Sequence, residues 1–419
     1  MSGHFSKIQR LFSKSWFAVF VLTSLLLFQL ILSFTFPARG LNDNWQPIST
    51  YLPKFTVEST DSLLLNKVYP LISPKYRFNS DVGHYLELAR NFNPEFIKGH
   101  VLLGRPLYSF LIFLGSLPIR FFTTPSYSLI FGLAILVNFI LIGLAVILFF
   151  WLLQKLFSSK VAWFSSILLI FSPFVHIFLV QPRAEMLTAF TVVMAGYFLY
   201  NYAQRASFLK LVIFSLIIGI LMLGKMFFAI AFFVVLLGSC FRRYKEAFIF
   251  LIIHLIPLGL WYFWVTRVWQ IPYYAHDVQY YRGGALVLNV FQWPWHQTFQ
   301  TLLAALPNFI SGLIYSFVLV PVIFSMVGFW KLTFKSKSIF YFGAIFSVFL
   351  FCLLVNVYYY RVIFLLFPVI YLTAVLGIQE VASHLKRYRP WLAPLFYVII
   401  ISLIILISTV NIYQVFDYG

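Results

Sequence analysis

The chain has 419 residues, of which 62% are hydrophobic and 10% charged, and its formal net charge is +19. Soluble domains carry nearer a quarter of charged residues, so a soluble globular protein, a disordered chain, a collagen-like repeat and a disulfide-stapled scaffold are excluded. The basic residues are strung between apolar stretches, a pattern of membrane topology rather than of nucleic-acid binding.

In chain order, Lys7, Arg10 and Lys14 precede an apolar run from Trp16 to Phe36. The run is long for a secretory signal, and Phe36-Pro37-Ala38-Arg39 is a poor cleavage site. It reads as an uncleaved first span with the N-terminus in the cytoplasm. A spanning helix needs about 20 apolar residues. The candidate spans are 16–36, 127–150, 161–180, 185–203, 209–224, 226–241, 247–266, 301–329, 338–359, 362–381 and 391–413. The expected fold is therefore an all-α polytopic membrane protein of about 11 transmembrane helices.

Charge supports this threading independently. The inner connections receive Lys155 and Lys160, then Arg205 and Lys210, then Arg242, Arg243 and Lys245. Further on they receive Lys331, Lys335 and Lys337, and finally Lys386, Arg387 and Arg389. Short outer connections hold only Arg183, Lys225, Arg267, Arg282 and Arg361, as the positive-inside rule expects. The long first outer loop, 37–126, holds six of the eleven acids: Asp43, Glu58, Asp61, Asp81, Glu87 and Glu95. Its tail, Pro106 to Phe122, is apolar but broken by Pro118 and Arg120, and is expected to be a short helix on the outer membrane face. Residues 1–381 form one expected transmembrane module that includes this loop. Residues 382–419 supply a basic cytoplasmic connection and a last span.

Ionisable groups at or near membrane depth are costly and become functional candidates by default. In Ser80-Asp81-Val82-Gly83-His84-Tyr85, Asp81 and Tyr85 lie one helical turn apart on one face. Asp81 is read as a carboxylate aimed at a cleft above the membrane, or as a helix N-cap. Arg183 and Glu185 occupy an outer turn, either as a local ion pair or as groups meeting an anion and an acceptor. Lys225 interrupts an apolar run and either snorkels or serves the site. Gly219 to Lys225 satisfies G-x-x-x-x-G-K, but Met226 follows and the setting is a span, so a P-loop is rejected. Arg361 follows Tyr358-Tyr359-Tyr360 at the outer headgroup level, where a guanidinium suits a lipid phosphate or an interfacial anchor. Asp277 sits among tyrosines that suit a sugar, a headgroup or interfacial packing. Cys240 and Cys352 form no motif, the eight histidines show no tight ligand spacing, and there is no D-x-D pair.

The layout resembles the GT-C membrane glycosyltransferases, specifically bacterial relatives of protein O-mannosyltransferases and of the lipid A aminoarabinose transferase, which are family 39-like. The residues that carry the likeness are Asp81-x-x-x-Tyr85, Arg105-Pro106-Leu107-Tyr108, Arg183-x-Glu185, Lys225 and Arg361 with Pro368. The resemblance implies a polyprenyl-phosphate sugar donor, an extracytoplasmic lipid, glycan or protein acceptor, and inversion at the anomeric carbon. It implies Asp81 as the catalytic carboxylate and Arg361 and Lys225 near the donor phosphate. Tyr85, Arg105, Arg183, Glu185 and Asp277 are expected to bind or orient substrate. The second acid that follows this position in the protein mannosyltransferases is replaced here by Val82. No cofactor or metal site is expected, although a divalent cation at Asp81 is left open. Expected partners are the donor, the acceptor and membrane lipids, with no nucleic acid. The expected location is the plasma (inner) membrane, with an extracytoplasmic site. The rival readings are an O-antigen polymerase or ligase and a non-enzymatic lipid or sugar transporter.

Overall fold

The computed structural model describes residues 15–35, 80–93, 105–224, 242–271, 319–333 and 363–410, with isolated helical positions between 296 and 317. Every regular element among the described residues is helical. They are α1 (Ser15–Thr35), α2 (Ser80–Asn91), α3 (Leu107–Arg120), α4 (Tyr127–Leu156), α5 (Ser159–Ile170), α6 (Pro173–Phe178) and α7 (Glu185–Gln204). After them come α8 (Phe208–Met222), α9 (Tyr244–Arg267), α10 (Leu319–Thr333), α11 (Phe367–Tyr388) and α12 (Leu392–Val410). A 3₁₀ turn at Phe364–Leu366 leads into α11.

Among the described residues, four helical stretches are long and apolar enough to cross a bilayer: Trp16–Phe34, Tyr127–Leu156, Tyr244–Arg267 and Phe364–Tyr388. The chain is a helical membrane protein. The expected spans 226–241 and 338–359 lie outside the described residues, so the full count of spans is not read from these helices. The 14-residue α3 rises about 21 Å, too short for a hydrocarbon core of about 30 Å.

The expected span 161–180 is two helices rather than one. α5 stops at Ile170, and Ser172 caps α6 by accepting the Val175 N–H at 3.2 Å, with Pro173 in the first turn. A proline lacks the N–H that a continuous helix needs, so Ser-Pro ends one helix and starts another. The break aims α6 at the loop that carries Arg183. A buried polar contact fixes it there: Gln29 Nε2 of α1 lies 3.1 Å from His176 Nδ1, and Ser33 Oγ lies 3.4 Å from the same nitrogen.

One core joins α1 to α6, the first half of α7, and α11. A second cluster joins the far half of α7, at Ala195, Leu199 and Tyr202, to α8 and α9. α8 and α9 approach so closely that a Cβ on Gly219 would run into the His254 carbonyl. The short helices α2 and α3 pack over the first turns of α4. α2 is not an apolar helix, yet Val82, Tyr85, Leu86, Leu88 and Ala89 are buried. Hydrogen bonds hold it: Ser109 Oγ donates to the Tyr85 carbonyl at 2.9 Å and Arg120 Nη2 to the Ala89 carbonyl at 3.0 Å. Phe92 ends α2 at φ 45°. A bulky residue is strained in that left-handed region. Its ring is held there against Phe110 and Phe113, with centroids 5.0 and 5.4 Å away.

Candidate functional site

Four chain segments meet around the hydroxyl of Tyr108, on the second residue of α3. Tyr108 is fully buried. Its ring meets Tyr85 of α2 edge-on, with centroids 5.3 Å apart. Its hydroxyl donates to Asn138 Oδ1 at 2.9 Å. Asn138 belongs to α4, where it is the polar residue of a buried stripe that includes Ala134, Ile135, Leu141 and Ile142. Its Nδ2 donates to the carbonyls of Gln181 at 2.6 Å, Phe178 at 3.1 Å and Leu179 at 3.4 Å. One amide thus joins α3, α4 and the loop after α6, and uses both its donor and its acceptor ends.

That loop delivers Arg183 and Glu185. Both are buried, at 2% and 4% exposure, which is rare for charged side chains and shows that the loop is not a surface turn. The Arg183 guanidinium stands 5.8 Å from the centre of the Phe178 ring. Glu185 opens α7, where a carboxylate complements the exposed N–H groups of the first turn. Burial, followed by Tyr85 and then the charge of Glu185, pushes the Tyr108 hydroxyl well above the ordinary tyrosine range. A backbone hydrogen bond from Arg183 and the Asn138 contact act in the opposite direction. Tyr108 is therefore a neutral donor. Gln181, 4% exposed, leaves its Oε1 buried with no hydrogen-bond partner among the described residues.

The segment bearing Arg105 enters the same junction. The N–H of Leu107 donates to the Leu223 carbonyl at 3.2 Å, tying the start of α3 to the end of α8. Gly224, next along, is pressed against Leu187 of α7 so closely that a Cβ would strike that side chain. The structure thus gathers Tyr85, Arg183 and Glu185 around Tyr108 and brings the chain beside Arg105 to them. The backbone of Asp81 is the second position of α2, one turn before Tyr85. Lys225, Asp277 and Arg361 lie outside the described residues.

Asn138 and Gln181 carry no charge and escape a reading of the sequence for charge, and Tyr108 stands there only as the end of the Arg105-Pro106-Leu107-Tyr108 motif. A signal for Asn138 was present, because an amide inside a span needs a partner as much as a charge does. A second polar contact lies on the other side of α2. Glu87 is buried, accepts from the Tyr127 hydroxyl, and takes the Asn91 amide at 2.8 Å. Among the described residues no three His, Cys, Asp or Glu side chains gather as a metal site.

No known family model matches the chain, and no curated protein matches it. Its fold is similar to that of the Archaeoglobus fulgidus oligosaccharyltransferase, solved in complex with Zn and sulfate, at a TM-score of 0.52 and 14% identity. The match covers 79% of this chain and 48% of that one, so the chain spans about half the length of that enzyme. At this identity the likeness is one of fold. It agrees with the all-helical membrane architecture expected from the sequence, and it does not reach the family 39-like branch.

Proposed function

We propose that this protein is a GT-C-type glycosyltransferase that moves a sugar from a polyprenyl-phosphate donor to an extracytoplasmic lipid, glycan or protein acceptor, with inversion. The observation that carries the reading is the meeting of Tyr85, Arg183 and Glu185 around the Tyr108 hydroxyl. Tyr85, Tyr108 and the Arg183–Glu185 turn come from separate segments, and an isolated hairpin ion pair would not need Tyr108 and Asn138 to lock it. The oligosaccharyltransferase-like fold supports the reaction class.

In this reading an acceptor hydroxyl attacks the anomeric carbon from the face opposite the phosphate. Asp81, one turn from Tyr85, takes the hydroxyl proton. A base must lie within about 3 Å of the proton it removes. The bond from the anomeric carbon to the phosphate oxygen breaks, and the polyprenyl phosphate leaves with the electron pair. Arg361 and Lys225 receive the growing negative charge, a contribution of about 3–4 kcal/mol for one well-aimed donor. Arg105, Arg183, Glu185 and Asp277 orient the substrates, and Tyr108 contributes a neutral donor. No step is routed through a metal.

The test is transfer of radiolabelled sugar from a polyprenyl-phosphate donor by the full chain in membranes. Asp81→Asn is expected to lower transfer at least about 100-fold while insertion is unchanged. Wild-type transfer by that variant would remove Asp81 as the base. Movement of donor across the bilayer without covalent transfer would make the protein a carrier.

A further inference from the structure

Away from the Tyr108 junction, α2 and α3 meet in a basic corner. The outward face of α3 is apolar: Leu114 is 40% exposed, Leu117 36%, and just beyond the helix Phe121 and Phe122 are 84% and 90% exposed. Two adjacent phenylalanines so open, just past the end of a helix too short to span, belong in the interfacial layer of a bilayer. Arg120 closes this strip. Its Nε donates to Ser116 Oγ at 2.6 Å and its Nη2 to the Ala89 carbonyl at 3.0 Å, while its guanidinium lies 4.4 Å from the centre of the Phe113 ring. All three partners are uncharged. Arg90, one residue beyond Ala89, lies 4.5 Å from the centre of the Tyr127 ring. Burial, and then the nearby charge of Arg90, both make the Arg120 proton easier to lose than in water. Arg90 has the Glu87 carboxylate close by through the Tyr127 hydroxyl, whereas the contacts of Arg120 among the described residues include no carboxylate.

We infer that Arg120 holds the phosphate of an anionic lipid headgroup, with Arg90 adding positive charge beside it, and that the acyl chains run along Leu114, Leu117, Phe121 and Phe122. A guanidinium donates well to a phosphate, and an anion there supplies the counter-charge that the contacts of Arg120 do not include. The adjoining apolar strip selects a lipid over free phosphate, because only a lipid fills both parts. Lipid binding here does not depend on the transferase reading, and each can fail without the other.

The test is native mass spectrometry of the full chain in detergent with phosphatidylglycerol, phosphatidylcholine or inorganic phosphate. Phosphatidylglycerol is expected to remain bound. Arg120→Gln is expected to reduce its occupancy about fivefold, the weight of one basic residue at a charged lipid surface. Arg120→Lys should retain most of the binding, and Phe121→Ser with Phe122→Ser should weaken it while leaving the thermal melt unchanged. Wild-type phosphatidylglycerol occupancy in Arg120→Gln and Arg90→Gln overturns the inference. So does equal retention of phosphatidylcholine, or displacement of the lipid by inorganic phosphate.

Discussion

The junction around Tyr108 and the crossing of α10 with α11 are both buried, yet they are made of different materials. At the crossing, Gly328 and Gly377 bring two backbones together so closely that a Cβ on Gly328 would meet the Thr373 carbonyl and one on Gly377 the Phe324 carbonyl. The hydroxyls of Ser325 and Thr373 add one contact at 2.8 Å. Lipid tails give helices no hydrophobic reason to associate, so small residues and close packing do it. The Tyr108 junction instead buries an arginine, a glutamate and an amide, groups that cost more to bury than well-packed apolar side chains of equal size. The crossing holds the protein together. The junction carries a cost that packing alone does not explain, and the proposed transfer reaction would account for it.

Variants can break this contrast, and their expected effects fall in order. Gly377→Val should be the most damaging, at about 4 kcal/mol or more, because backbone atoms cannot move aside as a side chain can. Thermal melts of the purified protein would show the loss, and any surviving folded fraction should transfer sugar at the wild-type rate. Asn138→Ala comes next, at about 2–3 kcal/mol, because it strands a buried hydroxyl and several carbonyls. Its transfer rate should fall further than its stability implies, by roughly 100-fold, through misplacement of the Arg183 loop. If its melt and its rate fall together as for Gly377→Val, the distinction between the two regions fails.

Tyr108→Phe keeps the ring and removes one hydroxyl, which should cost about 1 kcal/mol. It also has a pH signature. An unfolded tyrosine loses its proton near pH 10, whereas folded Tyr108 keeps it to higher pH. Its contribution is complete below about pH 10 and is lost as pH rises beyond that. Melts of the variant should therefore decline less steeply above pH 10 than those of the wild type. Ser325→Ala should be mildest, near 0.6 kcal/mol, the usual worth of a hydrogen bond between membrane helices. A larger loss there than in Tyr108→Phe would reverse the ranking.

Much of the architecture was legible in the sequence. Hydropathy located α1, α4, α9 and α12 to within a turn or two, because each is a single apolar run. The break between α5 and α6 was blurred, since averaging over 161–180 hides a local Ser-Pro signal inside a uniformly apolar stretch. Arg183 and Glu185 stood out because charge at membrane depth is rare. Asn138 did not, and Tyr108 did so only as the end of a short motif, because neutral polar groups acquire meaning only when their partners are known, and those partners are far away in the chain. Tyr108 and Asn138 are 30 residues apart, and Asn138 and Gln181 are 43 apart.

The amide of Asn138 has a consequence for what else can occupy that position. Aspartate has the same shape, but it would turn a nitrogen facing three carbonyl oxygens into a fourth oxygen, with a negative charge besides. Leucine would fit the volume and take the amide donor away from all three oxygens, leaving the Phe178 carbonyl with only the Gln181 N–H at 3.3 Å. Glutamine would carry the right atoms one bond too far. The shape of this corner of the protein thus leans on two hydrogens of one side chain.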